Sequence, residues 1–395
     1  MKKAVSMMLA LALVVGTLAG CGSSAPAESS SEAATESTAE AGATFKIGGI
    51  GPITGGAAVY GTAVKNAQEI AVEEINAAGG INGYQIELKF EDDEHDAEKA
   101  VNAYNTLKDW GMQVLMGTVT SAPCVAVAEK THEDNMFQIT PSGTSVPCVQ
   151  YDNAFRVCFS DPNQGSASAI YMGTNKLASK VAVIYDSSDV YSSGIYENFA
   201  AEAKNQGIEI VVAESFTADN KTDFTIQLQK AKDSGAELLF LPIYYNEAAL
   251  ILKQADTMGF KPIIFGCDGL DGILAVEDFD KALAEDVMLL TPFAADAEDE
   301  ATKSFVGKFN EKYNDTPNQF AADAYDAMYI IKAAMEEANC TPDMSVDEIG
   351  TAMIEAMKTI TVDGLTGAGM TWTADGEVNK APKAVIIKDG VYKAM

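Results

Sequence analysis

Two sets of side chains in this 395-residue chain have the types and spacing to hold a small charged molecule. The first is hydroxylic. Ser121 opens a helical pattern after the apolar run ending at Met116, and Ser142 and Thr144 follow the next run, which ends at Thr140. A serine at a helix start can simply be a cap. The same place also sets a hydroxyl beside free N–H groups at the positive end of a helix dipole, which suits a carboxylate. The second set is aromatic and acidic: Tyr191, Tyr244 and Asp268 each follow a later β-rich run. A tyrosine near a strand end is more often packing than recognition. Several aromatics and one carboxylate on one rim, however, suit an ammonium group. One rim for an anion and one for a cation describe a zwitterion, and an α-amino acid is the simplest.

Catalytic constellations are scarce by comparison. The chain has no G-x-S-x-G, H-E-x-x-H or C-x-x-C. Cys124 and His132 fall within one helical pattern with no third group to orient them. The loop Gly49-Ile50-Gly51-Pro52-Ile53-Thr54 misses the dinucleotide fingerprint, because Thr54 stands where glycine is needed and Pro52 lacks an N–H. The run Glu91-Asp92-Asp93-Glu94-His95-Asp96 could attract a cation, but it lacks calcium-loop spacing. It reads better as a solvated turn with Asp96 capping a helix. No cofactor, metal site or enzymatic activity is expected.

The elements that must position the two sets alternate regularly. Short β-rich runs at Phe45–Ile50, Gln85–Glu91, Gln113–Met116 and Phe137–Thr140 are separated by longer helical patterns. A second set has runs at Lys180–Tyr185, Ile208–Ala213, Leu238–Leu241 and Pro262–Gly266. Ala301–Lys358 reads as mostly helical, and Gly369–Thr373 and Ala384–Tyr392 read as β-like. This predicts an α/β protein with parallel sheets, and ligands of such sheets bind beyond the strands' carboxyl ends.

The N-terminus is a separate matter. Lys2 and Lys3 precede an uncharged apolar run from Ala4 to Ala19, as in a secretory signal. The run ends Leu18-Ala19-Gly20-Cys21, which resembles the bacterial lipobox. That resemblance implies a signal peptide over residues 1–20 and a lipid on Cys21. Residues 22–43 are small and polar, with Glu28, Glu32, Glu36 and Glu40 at repulsive spacing, and predict a disordered tether.

Composition narrows the partners. A formal charge of -30, from 27 Lys+Arg against 57 Asp+Glu, repels phosphates and argues against nucleic acid. Two histidines leave little room for a His-rich metal centre. Beyond Cys21 five cysteines remain, too few for a disulfide scaffold, and a Cys124–Cys148 bridge stays open.

Gly51-Pro52-Ile53-Thr54-Gly55, Tyr60-Gly61 and Glu74-Ile75-Asn76-Ala77-Ala78-Gly79-Gly80-Ile81-Asn82-Gly83 resemble the opening of the branched-chain amino acid binding proteins of ABC importers. Phe155-Arg156-Val157, Asp161-Pro162-Asn163-Gln164-Gly165 and Gly364-Leu365-Thr366-Gly367 continue the resemblance. It implies the type I periplasmic binding protein fold, two α/β lobes joined by three crossovers. Lobe 1 would be residues 44–158 plus 292–364, and lobe 2 residues 159–291 plus 365–395. Crossovers would lie near Arg156–Asp161, Leu290–Phe293 and Val362–Thr371.

Carried over by resemblance, Ser121 and Thr144 would bind the ligand carboxylate, and the Ser142 carbonyl would accept from the ammonium. Asp268 would pair with the ammonium, Tyr191 and Tyr244 would cover the ligand, and Tyr60 would line its side-chain pocket. Three departures stand out: Asp268 replaces the usual Glu, Ser142-Gly143 replace small apolar residues, and Thr120 takes a usual cysteine position. The expected function is capture of an amino acid, aliphatic on resemblance alone, for delivery to permease subunits. The protein would be monomeric, outside the cytoplasmic membrane and held there by its lipid. Another small solute (an amide, an aromatic acid or a short peptide), a sensor role and an extracellular enzyme are the competing readings.

Overall fold

The structure, a computed structural model, describes residues 42–395. The expected signal peptide, the lipidation site Cys21 and nearly all of the tether lie outside the described residues.

The first sheet is built from the N-terminal alternation. Its strands are β1 (Thr44–Gly51), β2 (Gln85–Asp92), β3 (Val114–Gly117), β4 (Gln138–Thr140) and β5 (Ala154–Arg156), connected through α1 (Ala58–Ala77), α2 (Ala97–Trp110) and α3 (Ser121–Glu133). Their order is β2-β1-β3-β4-β5 and every pairing is parallel. Parallel strands buried on both faces favour continuous apolar side chains, as in β3; in the equally buried β4, Gln138 donates to the Gly117 carbonyl at 2.9 Å and Thr140 to the Thr118 carbonyl at 2.6 Å. Asp96 caps α2, its carboxylate accepting from the Lys99 N–H at 2.9 Å. At Gly61 a Cβ would stand 2.0 Å from the Pro52 carbonyl oxygen, so only glycine lets α1 start this close to the loop after β1.

The chain then passes to a second sheet. The elements are α4 (Asp161–Thr174), β6 (Lys180–Asp186), α5 (Val190–Ala203), β7 (Glu209–Phe216), α6 (Thr225–Asp233), β8 (Leu238–Leu241), α7 (Tyr245–Thr257), β9 (Ile263–Gly266) and β10 (Met288–Thr291). Next, α8 (Glu300–Tyr313), α9 (Gln319–Glu337) and α10 (Val346–Met357) return to the first sheet's side. Lys308 of α8 and Tyr325 and Tyr329 of α9 all donate to Glu74 of α1, at 2.6, 2.5 and 2.8 Å. The chain finally crosses back as β11 (Lys383–Lys388) and β12 (Val391–Ala394). The second sheet runs β12-β11-β10-β9-β8-β6-β7, parallel except for the antiparallel pairs β10–β11 and β11–β12.

Several details differ from the sequence expectation. β5, α4 and β10 were not expected as elements, being short or masked by the crossovers they flank. The β-like pattern at Gly369–Thr373 gives only isolated bridges, Val362 with Met370 and Trp372 with Val378. The final β-like stretch is a hairpin, because Asp389 and Gly390 both take positive φ and turn it back.

Candidate functional site

The loops beyond the carboxyl ends of both sheets face one another across a narrow cavity. Its walls are Tyr60, Val119, Thr120, Ser121, Ser142 and Phe320 from the first lobe with Tyr191, Tyr244, Asp268 and Gly269 from the second. Six of the seven residues singled out from sequence therefore meet at one place. The seventh, Thr144, touches Ser121 directly: their hydroxyl oxygens are 3.3 Å apart.

On the first wall, Ser121 is the first residue of α3, and its side chain does not cap that helix. Instead its Oγ accepts the N–H groups of Thr144 at 3.3 Å and Ser145 at 3.2 Å. The opening N–H groups of α3 have no acceptor within the helix, so they and the hydroxyls present donors to the cavity. The loop carrying Thr144 is held from behind. Arg156, fully buried, donates to the carbonyls of Gly143 (3.1 Å), Thr144 and Ser145 (3.0 Å). Binding those carbonyls turns the opposite N–H groups toward Ser121. Ser142 donates its hydroxyl to the Val119 carbonyl at 2.6 Å.

On the second wall, the Tyr191 hydroxyl donates to Asp268 Oδ1 at 2.7 Å and accepts the Gly269 N–H at 2.9 Å. Tyr191 and Tyr244 stack with centroids 4.9 Å apart. Gly269 has no alternative residue type here, since a Cβ would lie 2.6 Å from the Tyr191 hydroxyl oxygen. Burial pushes the Asp268 carboxyl up to about 6. It also pushes Asp161, the first residue of α4, well above the usual range. Both Asp161 carboxylate oxygens lack a hydrogen-bond partner among the described residues. Asp268, whose carboxylate lies on the cavity wall, is the group placed there to meet a cation.

The lobes touch directly around this cavity. Tyr60 donates to the Gly269 carbonyl at 2.5 Å and accepts the Tyr245 N–H at 3.2 Å. Asn246 donates to the Gly56 carbonyl at 2.6 Å, and Gln319 donates through its side chain to the Asp268 carbonyl at 2.9 Å. The cleft is therefore closed, and Tyr60 packs on Phe320 at 4.2 Å within it.

Behind the site, at the crossovers, Lys380 is fully buried with Asp323 at 2.6 Å. Its ammonium also donates to the Val157 carbonyl (2.7 Å) and the Thr366 hydroxyl (2.7 Å). The five cysteines beyond Cys21 are all free and buried, so Cys124 and Cys148 are unbridged thiols.

A family model described as periplasmic binding protein matches residues 44–390. The chain belongs to that family. It is 33% identical over 304 residues to the Leu/Ile/Val-binding protein homolog 3 of Brucella melitensis, covering 76% of this chain and 81% of that one. Among solved structures, it resembles the branched-chain amino acid transporter substrate binding protein LivJ from Streptococcus pneumoniae, in complex with isoleucine. The TM-score is 0.81 at 30% identity, covering 89% of this chain and 98% of that one. The leucine binding protein LivK from Thermotoga maritima is similar at TM-score 0.80 and 28% identity, with the same coverage of 89% and 98%.

Sequence reasoning missed Val119, Thr120, Gly269 and Phe320 as wall residues and Asp161 as a buried charge. Thr120 and Gly269 adjoin residues that were singled out, so widening each loop by one residue would have found them. Asp161 precedes Pro162 at a helix start, a visible signal. Phe320 lies within a long apolar pattern and carries no local signal.

Proposed function

We propose that this periplasmic binding protein captures an α-amino acid, branched-chain or otherwise aliphatic, between its two lobes and delivers it to an ABC permease. One observation carries the reading: Ser121, its hydroxyl 3.3 Å from that of Thr144, faces Asp268 and Tyr191 across a single cavity. The first pair, with the N-terminal amides of α3, offers donors to a carboxylate. The second pair offers an acceptor and aromatic faces to an ammonium. Tyr60, Phe320 and Tyr244 leave apolar surface for the side chain. The names of the relatives support an aliphatic ligand, and those relatives are binding proteins rather than enzymes.

In this reading Ser121 and Thr144 hold the carboxylate, the Ser142 carbonyl and Asp268 hold the ammonium, Tyr191 and Tyr244 cover the ligand and Tyr60 bounds its side chain. Lobe 1 comprises residues 44–158 plus 292–364, and lobe 2 residues 159–291 plus 365–395. The third crossover lies near Val362–Thr371, and just beyond it Trp372 Nε1 donates to the Arg156 carbonyl and the Gly376 carbonyl accepts the Arg156 N–H. Closure is the binding event: a ligand that touches both walls favours the closed form by its differential contacts.

The protein works outside the cytoplasmic membrane as a monomer. Cleavage before Cys21 and a lipid on its thiol would anchor it there. Palmitate labelling that is lost in Cys21→Ser tests the anchor. A thermal-shift screen against the common amino acids, followed by calorimetry, tests the ligand class, because a ligand of the folded state raises its apparent stability. Aliphatic amino acids are expected to give the largest shifts. A response only to amides, aromatic acids or peptides would reject the assignment.

A further inference from the structure

One ring at the mouth of the cleft has no part in the ligand contacts above. Asp92 and Asp93 accept the N–H groups of Glu94 and His95 through their Oδ1 atoms, each at 2.9 Å. Glu94 and His95 both take left-handed backbone, φ 50° and 61°, which non-glycine residues adopt uncommonly. This turn presents the imidazole to the space between the lobes. His95 Nδ1 lies 2.8 Å from Thr120 Oγ1, on the first wall of the cavity. The ring also meets Tyr244 of the second wall edge to face, with centroids 5.4 Å apart. Tyr244 stacks in turn on Tyr191, the hydroxyl partner of Asp268. The contact with Tyr244 exists only when the lobes are together.

We propose that His95 is a positioning residue for closure: its uncharged ring bridges Thr120 and Tyr244, and a proton on that ring favours the open form. The inference rests on the amino-acid-binding reading above.

The balance of charges supports that direction. In the closed cleft the ring loses most of its water, which opposes its charge, and Lys221 of the second lobe opposes it too. Glu247 and Asp186 of the second lobe and Asp96 of its own loop favour the charge. Asp93, on the same turn, is itself pushed up to about 7 by burial, and Glu247 is paired with Lys221 at 3.0 Å. Burial prevails, and the imidazole is held below its ordinary range. Opening returns it to water, where an imidazole titrates at about 6.5. Closing therefore expels a proton at acidic pH, and ligand affinity falls as pH drops below about 6.5. Asp268 also loses its charge on acidification, so the unaltered protein alone does not separate the two effects.

The chain has only two histidines, His95 and His132, which makes the test direct. Imidazole proton resonances of the full-length chain, assigned with His132→Gln, would be titrated with and without saturating L-leucine. The His95 midpoint should drop by about half a pH unit or more on binding, corresponding to about a threefold change in affinity. Calorimetry with L-leucine from pH 8 to pH 5.5 should show a shallower loss of affinity in His95→Gln than in the unaltered protein. An unmoved His95 midpoint, or superimposable affinity profiles, would overturn this inference alone. No binding of any amino acid at pH 8 would overturn the functional reading and this inference with it.

Discussion

The hydroxyls of Ser121 and Thr144, 23 residues apart in the chain, stand 3.3 Å apart at the end of the first sheet. Ser121 Oγ also accepts the Thr144 N–H, so the two residues form one unit rather than two independent contacts. Arg156 fixes that unit by binding the carbonyls on the far side of the same loop.

Residues that share a unit should not lose binding energy additively. Ser121→Ala and Thr144→Val are each expected to weaken amino-acid binding, and the double variant should lose less than their sum. A double-mutant cycle by calorimetry should give a coupling energy of about 0.5–3 kcal/mol. Additive losses would mean that the ligand sees the two hydroxyls separately.

Asp268 has one oxygen bonded to the Tyr191 hydroxyl and sits in a buried wall. Asp268→Ala should weaken amino-acid binding by about 1.5 kcal/mol or more, roughly tenfold in Kd. Unchanged affinity would remove Asp268 from the ammonium site.

The Tyr60 hydroxyl ties the Gly269 carbonyl and the Tyr245 N–H to the first lobe. Tyr60→Phe keeps the ring and deletes both bonds. The expected cost is about 1–2 kcal/mol in affinity, because two buried groups lose their partner in the closed form. Small-angle scattering should show a larger radius of gyration at subsaturating leucine than the unaltered protein has.

Lys380 and Asp323 are a buried pair whose members would be costly alone. Lys380→Met should destabilise the fold by about 3–5 kcal/mol in denaturant melts. Lys380→Met with Asp323→Asn should recover part of that loss, since the uncompensated carboxylate goes with its partner.

Acidification should stabilise the ligand-free fold while weakening ligand binding. Burial raises Asp93 and Asp271 to about 7 and Asp189, Asp268 and Asp323 to about 6. Each therefore binds its proton more tightly folded than unfolded. Their stabilisation is complete below the unfolded carboxyl range and is lost as pH rises through those values. The melting temperature without ligand should thus be higher at pH 5 than at pH 8. A melting temperature that rises steadily toward pH 8 would show that these carboxyls are better compensated than their burial implies.

Much of this was legible in one dimension. The alternation of apolar runs and helical patterns specifies parallel α/β sheets, because a strand buried on both faces is mostly apolar along its length. The rule that ligands lie beyond strand ends then selected Ser121, Ser142, Thr144, Tyr191, Tyr244 and Asp268 from the chain. The resemblance added Tyr60. The hydroxyl and carboxylate types were enough to suggest one rim for an anion and one for a cation.

Three things were decided only by the tertiary structure. Phe320 reaches the cavity because α9 returns to the first lobe, and no local pattern records where a helix returns. Asp161 is pushed well above the usual carboxyl range only when α4 docks on α5 and removes its water. His95 reads in sequence as one member of a solvated acidic turn, yet closure sets its ring between Thr120 and Tyr244. Sequence determines which groups a loop carries. Whether they are charged, paired or dry depends on what the opposing lobe removes from water, and that is a property of the closed cleft.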